Sequence, residues 1–469
     1  MKKNYGIALA VCFVIFYLSI RLFTVDITHD EAYSFHIMKH FWHVEALCTA
    51  NTHWLNSIAI KIALLFHLES IWQIRWFSLF SAIVFCIVSF LWISSFEKTY
   101  QKIFACSVLL FNPYVLDYFG LARGYASGLM FEALALLLFI VSLNKQNRLM
   151  AFAALFCAGS SAIANYSFVY FFAGFAIVYF YAFYLRQKST FFKNKNFYID
   201  IALCLAVSLF IIRAWIFIIK CSNDLGAGTN RITEACLSIP EGLLYQKLAL
   251  STLVSTALSC VLIALILAIC AHGLFKYKQH KNQLYFYSCL ILSIVLFILT
   301  INFFCFKIVL PYARSALFLF PLTSTCLICF INEVFTPSIS KPLMTSLSVL
   351  LIANFFLTHN LTHTLDFNGQ WGTKKVFNYL DSIGADKVAM SRETYGVYLN
   401  YYQTTDNSTY KFKGDFILEV KDISTYNYFL LSPPYLVPKG GLGHLRLDTI
   451  KRFKDNNIIL LKVNHRAGL

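Results

Sequence analysis

DITHDEAYSFHIMKHFWHVEALCTANTHW, residues 26–54, places two adjacent carboxylates, Asp30 and Glu31, after an apolar segment long enough to cross a bilayer. Charge at a membrane boundary requires a reason, so both carboxylates are candidate catalytic residues. Thr28-x-x-Glu31 also has the form of a capping box, which gives Glu31 a purely structural alternative. The sequence offers Asp30 no such structural role. Asp30 is therefore the first candidate for chemistry.

The residues that follow this pair have helical spacing. Tyr33, Ile37 and Phe41 fall on one side, which predicts a helix lying along the membrane interface. His36-x-x-x-His40 places two imidazoles on one face of that helix. A zinc or manganese site is one interpretation, and the polar face of an interfacial helix is the favoured one. No cofactor is predicted beyond this divalent-metal alternative.

The composition is that of an integral membrane protein. Hydrophobic residues make up 58% of the chain and charged residues 13%, against about 45–50% and about 25% in soluble proteins. The formal charge is +16, but Lys and Arg cluster in short segments between apolar runs, the pattern that orients a membrane protein. No nucleic-acid partner is predicted. The apolar run that begins the chain is too long for a signal peptide, so we expect a retained first helix.

Apolar runs of sufficient length predict a transmembrane helical bundle over 1–358. The short run at 55–68 is predicted to be a half-buried helix. With Lys2 and Lys3 inside, every inner loop carries Lys or Arg. A long first loop (26–70) and a second long loop (220–247) then lie outside. The predicted spans number about eleven, near 5–25, 71–95, 102–119, 121–143, 149–165, 166–186, 199–219, 248–275, 284–304, 308–332 and 342–358.

The composition changes near His359, where polar residues and turn signals replace the apolar runs. An odd number of spans places this C-terminal part, 359–469, outside the membrane on the outer face. Its pattern predicts a small soluble α/β domain. The predicted elements are a helix at Trp371–Ile383 and strands at Lys387–Ser391, Phe416–Val420, Tyr428–Leu431 and Ile458–Val463.

Charged residues within the spans are costly, so each is a candidate for function. Asp117 and Arg123 flank a tight outer turn and are expected to face the same pocket as Asp30. The structural alternative is that Asp117 and Arg123 pair with each other. Glu132 lies near mid-membrane, where it is either protonated or paired.

Two further arginines fall in the outer halves of spans. Arg314 follows Pro311 in a span that is broken near its start, and its guanidinium can bind a phosphate through two parallel hydrogen bonds. Arg213 is a second candidate, with snorkelling toward the interface as its alternative. Cys221 and Cys236 flank a polar outer loop, where they form either a disulfide or two free thiols.

Four motifs together resemble the GT-C superfamily of membrane glycosyltransferases. They are THDEAY, NTHWLNSIAI, the ARGYA start of the fourth span, and Pro-Tyr-x-Arg at Arg314. The likeness is to the bacterial protein-mannosyltransferase-like branch that includes the lipid A aminoarabinose transferases. The resemblance implies that Asp30 acts as general base or orients the acceptor, and that Arg123 and Arg314 lie near a lipid-phosphate sugar donor. The candidate catalytic residues are Asp30, Glu31 and Asp117, and the candidate donor-binding residues are His53, Arg123, Tyr125, Arg213 and Arg314.

The leading hypothesis is an inverting glycosyltransferase at the outer face of a bacterial inner membrane, with a periplasmic C-terminal domain. Its donor would be a polyprenyl-phosphate-linked sugar, and its acceptor lipid A, a polysaccharide or a protein. A transporter or flippase that uses Glu132, Arg213 and Arg314 is the first alternative, although the halves of the chain show no repeat. A protein that holds envelope glycans through its C-terminal domain is the second, and it leaves Asp30 without a role.

Overall fold

The fold is described by a computed structural model. The described residues are 4–41, 53–188, 194–222, 228–245, 251–275, 283–405, 410–417, 425–432, 447–453 and 458–463. Side chains at a few helical and turn positions within these segments, including Cys221 and Cys236, lie outside the description, and so does the predicted pairing of these two cysteines.

The chain is mainly helical, with a small sheet near its C-terminus. The helices are α1 (Tyr5–Thr24), α2 (His29–His40), α3 (Trp54–Leu65), α4 (Ile71–Ile74), α5 (Trp76–Ser94), α6 (Thr99–Leu110), α7 (Pro113–Phe119), α8 (Gly124–Lys145), α9 (Arg148–Ala164), α10 (Val169–Gln187), α11 (Lys195–Ser222), α12 (Ile232–Leu244), α13 (Thr252–Phe275), α14 (Gln283–Phe306), α15 (Leu319–Val334), α16 (Pro337–Thr358), α17 (Thr373–Ser382) and α18 (Arg392–Val397). The strands are β1 (Gly228–Thr229), β2 (Leu310–Pro311), β3 (Lys387–Met390), β4 (Lys413–Phe416), β5 (Tyr428–Leu431), β6 (Leu447–Phe453) and β7 (Ile458–Val463).

Within the described segments, eight helices are long and apolar enough to cross a bilayer. They are α1, α5, α8, α10 with its preceding 3-10 turn, α11, α13, α14 and α16. Three shorter apolar helices, α3, α9 and α15, accompany them. The chain is thus a polytopic helical bundle, as its composition indicates.

Two predicted spans are divided in the structure. The span expected over 102–119 becomes α6 and α7, because Pro113 cannot continue α6. The side chain of Asn112 instead accepts hydrogen bonds from the N–H groups of Tyr114 and Val115 and begins a new helix. The span expected over 308–332 begins with strand β2 and a 3-10 turn at Ala313–Ala316, so α15 is short.

The chain folds into two compact units. The first comprises Met1–Ser19, Cys48–Asn56 and Trp76–His359, and the second Ile20–Leu47, Ser57–Arg75 and Asn360–Leu469. The first unit contains most of the bundle. Its helix α9 buries a face of small residues such as Ala151, Ala154 and Ala158, and small residues let membrane helices approach closely.

The second unit contains a five-stranded mixed sheet of order β4-β3-β5-β7-β6. Strand β3 is parallel to both β4 and β5, and β7 is antiparallel to both β5 and β6. Ala389, Ile417, Phe429 and Val463 form a buried cluster in it. The C-terminal stretch therefore folds together with two earlier segments of the sequence rather than by itself.

The predicted C-terminal elements are largely present. Strands β5 and β7 have the predicted bounds, β3 ends one residue earlier, and the predicted helix is α17. Strand β4 lies at Lys413–Phe416, and residues 418–420 of the predicted strand Phe416–Val420 lie outside the described residues. Strand β6 was not predicted, because its apolar residues Leu447, Ile450 and Phe453 are three positions apart rather than two.

Candidate active site

In the second unit, Glu31 is held by the start of its own helix and by a distant arginine. Thr28 and Glu31 form the predicted capping box, in which Thr28 N donates to Glu31 Oε2 at 3.0 Å and Glu31 N donates to Thr28 Oγ1 at 3.3 Å. Arg75 Nε donates to Glu31 Oε1 and Arg75 Nη2 donates to Glu31 Oε2, each at 2.8 Å. Both side chains of this ion pair are 0% exposed. These contacts support the structural alternative for Glu31.

Arg75 also binds backbone carbonyls between α1 and α2. It donates to Val25 O at 2.7 Å and to Asp26 O at 3.0 Å. Arg75 is not among the site residues predicted from the sequence. The sequence feature that could have identified Arg75 is its position as a lone cation at the edge of an apolar run, where a charge needs a partner.

Asp30 lies in the first turn of α2 and is 8% exposed. The amide groups at the start of a helix carry partial positive charge, which stabilises a carboxylate there. Asp30 Oδ1 lies 3.8 Å from His29 Nδ1. Asp30 is therefore a buried carboxylate beside an imidazole, with its neighbour Glu31 committed to Arg75.

The C-terminal part of the second unit supports His29. The backbone N–H of His29 donates to Gln370 Oε1 at 2.6 Å, and Gln370 Nε2 donates to Glu393 Oε2 at 3.2 Å. Gly396 is close to the His29 ring, since a Cβ at position 396 would lie 2.1 Å from His29 Cδ2. Any larger residue at position 396 would thus have to displace the His29 ring, where α18 meets the start of α2.

Asp26 is a further carboxylate of this region and is not among the site residues predicted from the sequence. It is half-buried before α2. Burial raises the pKa of Asp26 above its ordinary value, and backbone N–H groups of Gly372 and Lys374 together with the Arg75 charge oppose the shift. Asp26 therefore links the loop to the start of α17.

The predicted pair His36 and His40 does share a helix face, with ring centroids 4.6 Å apart. His36 Nδ1 lies 2.9 Å from Thr404 Oγ1. Burial and the neighbouring His40 lower the pKa of His36. Within the described segments, no group of three or more His, Cys, Asp or Glu side chains could hold a metal ion.

In the first unit, the ARGYA segment forms the start of α8. Arg123 is the N-cap residue and is 1% exposed. A Cβ at Gly124 would lie 2.0 Å from the carbonyl oxygen of Ala164 and 2.9 Å from the Cβ of His53. The ring of His53 is also 5.4 Å from that of Tyr125. The structure thus brings together His53 and Tyr125, and the contact depends on the glycine between Arg123 and Tyr125.

The turn before α8 is fixed by two side chains from other helices. Asn56 Nδ2 donates to Ala122 O at 2.6 Å, and Ser78 Oγ donates to Leu121 O at 2.5 Å. Both bonds are buried. They position the backbone that presents Arg123.

Asp117 lies on α7 and is 2% exposed. Its Oδ2 accepts a hydrogen bond of 2.6 Å from the hydroxyl of Tyr245. Tyr245 follows α12, which lies in the second predicted long loop. The contact of Tyr245 with Asp117 could not be predicted from the sequence, because 128 residues separate the two.

The remaining candidates of the first unit differ in burial. Arg314 is half-buried in the 3-10 turn before α15, and Arg213 is exposed on α11. Glu132 is 0% exposed, and neither of its carboxylate oxygens has a hydrogen-bond partner among the described residues. Neutralising Glu132 would have been a structural role for Arg314. That pairing is not observed among the described residues.

Comparison with protein-family models gives no match, and comparison with curated protein sequences gives none either. Two solved structures match over nearly the whole chain. ArnT from Cupriavidus metallidurans bound to undecaprenyl phosphate has a TM-score of 0.56 at 10% identity, covering 97% of both chains. The same protein in the apo state has a TM-score of 0.54 at 10% identity, covering 97% of this chain and 96% of ArnT. The chain therefore has the GT-C fold of ArnT, with a membrane helical bundle and a small C-terminal sheet.

Proposed function

We propose that this protein is an inverting glycosyltransferase that moves a sugar from a polyprenyl-phosphate-linked donor to an acceptor of the bacterial envelope. The observation that carries the proposal is the likeness to ArnT over 97% of both chains, including ArnT with undecaprenyl phosphate bound. The reaction would take place at the outer face of the inner membrane. Lipid A, a polysaccharide or a protein is the proposed acceptor.

The proposed reaction is a single displacement at the anomeric carbon. An acceptor hydroxyl attacks the carbon opposite the phosphate, and the bond between that carbon and the phosphate oxygen breaks. Asp30 takes the hydroxyl proton as the new glycosidic bond forms. The burial of Asp30 at the start of α2 supports this role. The start of α2 is held in place by the capping box of Thr28 and Glu31 and by the ion pair of Glu31 with Arg75.

The leaving group is the polyprenyl phosphate, which departs with the electron pair of the broken bond. Cationic groups stabilise the negative charge that develops on it. Arg123 and Arg314 are the proposed phosphate ligands, and His53, Tyr125 and Arg213 the further donor-binding residues. Since a phosphate is a good leaving group, no strong general acid is required.

The first test is mass spectrometry of lipid A, polysaccharides and glycoproteins from a strain that lacks this protein. We expect one sugar to be missing from one of these acceptors and to return when the wild-type protein is supplied. The purified protein should also release polyprenyl phosphate from the matching donor only when acceptor is present. An unchanged set of envelope glycans, together with no release from any polyprenyl-phosphate sugar, would contradict the proposal.

Glu132 favours a second candidate function, a transporter or flippase. A buried carboxyl group in a membrane helix with no described partner is typical of proton pathways. Proteoliposomes separate the two functions. Proton-coupled lipid translocation that Glu132→Gln abolishes would support transport, whereas sugar transfer that survives Glu132→Gln supports the transferase.

A further inference from the structure

A cleft of about 740 Å³ lies wholly within the second unit. Its walls are the end of α1, the segment leading into α4, helix α17, and the π-helical turn Tyr398–Tyr402 with the residues after it. Ligand pockets in proteins typically have volumes of roughly 300–1,000 Å³. The cleft is large enough for more than one sugar ring, and none of the proposed catalytic or donor-binding residues lines it.

Aromatic rings form much of the lining. Trp72 is 46% exposed, and its ring lies 5.4 Å from that of Phe23. Tyr401, Tyr402 and Tyr410 form a second aromatic group, in which ring centroids lie 5.2 Å apart for the first two and 5.5 Å apart for the last two. Such rings offer flat apolar faces with polar edges. A pyranose has the complementary shape, with C–H groups on its faces and hydroxyls at its edge.

Hydrogen-bonding groups lie among these rings. Tyr410 donates its hydroxyl to Asn378 Oδ1 at 2.8 Å, which leaves the Asn378 amide N–H groups as donors. The ring of Tyr402 lines the cleft, whereas its hydroxyl oxygen is buried and is not accessible from the cleft. The exposed amide of Asn378 is therefore a hydrogen-bonding group that a ligand in the cleft can reach.

The tyrosines remain neutral donors at ordinary pH. Burial raises the pKa of Tyr410 to about 12. Burial also raises the pKa of Tyr402 well above its usual value. The Tyr410 hydroxyl therefore keeps the proton that it donates to Asn378 Oδ1, so the Asn378 amide N–H groups stay available for sugar oxygens.

The charges of the lining are balanced. Glu69 forms an ion pair of 2.7 Å with Lys39, and Lys374 lies where its charge acts on Asp26. An anion site would require several cations without partners, and a cation site the reverse. A neutral, hydroxyl-rich ligand fits this lining better than a phosphate or a metal ion.

We propose that the cleft in the second unit is a binding site for a neutral saccharide, with a pyranose ring against Trp72 and its hydroxyls bonded to the amide of Asn378. The site holds a glycan without acting on it. This inference goes beyond the proposed transferase function and does not depend on it.

The test uses the full chain in lipid nanodiscs, labelled with a fluorophore and titrated over an array of immobilised pyranose oligosaccharides, both neutral and anionic. We expect saturable binding to neutral glycans. Trp72→Ala should weaken it about tenfold, the scale for losing an aromatic contact. Asn378→Ala should weaken it as well. Trp76→Ala is the matched control, because Trp76 is 40% exposed and does not line the cleft.

Three outcomes would overturn the proposal: no saturable binding by wild type, binding only to anionic glycans, or equal affinities for wild type and a folded Trp72→Ala variant. Thermal melting of each nanodisc sample confirms folding. Transfer of sugar from a polyprenyl-phosphate donor is measured separately. Glycan binding without any transfer would refute the transferase and leave the saccharide site standing.

Discussion

Arg75 and Glu31 form a two-point ion pair in the interior of the second unit, in which the distances from Nε to Oε1 and from Nη2 to Oε2 are both 2.8 Å. The pair joins residues 44 positions apart. Arg75 also holds the carbonyls of Val25 and Asp26, so one guanidinium fixes the whole entry to α2. Of the adjacent carboxylates, Glu31 thus supports the loop, and Asp30 is the better candidate for the reaction.

Breaking the ion pair of Arg75 and Glu31 should make the second unit easier to unfold. We expect Arg75→Met to lower the free energy of unfolding by about 3–5 kcal/mol, because Glu31 would be left as an uncompensated buried charge. Adding Glu31→Gln to Arg75→Met should recover part of the loss. Thermal melting in detergent measures both. Equal melting of wild type and Arg75→Met would show that the pair contributes nothing to stability.

Asp30→Asn should abolish transfer while the protein stays folded. The amide keeps the shape but cannot take a proton, and loss of a general base typically costs about a hundredfold or more in turnover. Stability should fall by at most about 1 kcal/mol, the scale of a charge at a helix start. Donor binding should not change. Asp448→Asn, at an exposed carboxylate on β6, is the control. Full activity of Asp30→Asn would exclude Asp30 as the general base.

Arg314 should act on donor affinity. We expect Arg314→Ala to weaken donor binding by about 1.5–3 kcal/mol, the scale for a hydrogen bond to a charged group. Arg314→Lys should recover only part, because lysine lacks the planar pair of donors. Binding of a fluorescent polyprenyl phosphate is the measurement. Arg186→Ala, at an exposed arginine ending α10, should bind normally, and normal binding by Arg314→Ala would refute the phosphate role.

The burial of Asp26 predicts that the difference in stability between wild type and Asp26→Asn depends on pH. Its pKa is raised above 3.8 by burial, so the folded protein holds the proton more tightly than the unfolded chain does. The contribution of Asp26 to stability is therefore greatest below 3.8 and is lost as pH rises through the raised value. Asp26→Asn, which has no charge to desolvate, should melt at a higher temperature than wild type at neutral pH.

The difference between Asp26→Asn and wild type should shrink as the pH is lowered toward 4. Comparing the two proteins at each pH cancels the titration of every other group. If Asp26→Asn melts at a lower temperature than wild type at neutral pH, the hydrogen bonds from Gly372 and Lys374 outweigh the desolvation of the Asp26 carboxylate.

Gly124→Ala should disturb the start of α8. The added Cβ would lie 2.0 Å from the carbonyl oxygen of Ala164, so backbone must move. We expect a loss of about 1–3 kcal/mol in the free energy of unfolding, as for other overpacked sites. Gly6→Ala on α1 is the control, since a Cβ there meets nothing within 4 Å. Equal melting of the two variants would contradict the close contact.

Several features could be predicted from the sequence because they depend on neighbouring residues. Apolar runs indicate membrane helices, since every backbone polar group in lipid must be satisfied within the segment. The capping box of Thr28 and Glu31 joins residues three positions apart, and the structure contains it. Strands β5 and β7 are predicted from their own short apolar runs.

The tertiary structure decided the partners of the buried charges. Arg75 reaches Glu31, and Tyr245 reaches Asp117 across 128 residues, because a buried charge takes whichever complementary group the folded chain brings within hydrogen-bonding distance. Strand β6 is defined by its pairing with β7 rather than by its own pattern. The cleft beside Trp72 likewise exists only where three distant segments pack, so no local sequence pattern could predict it.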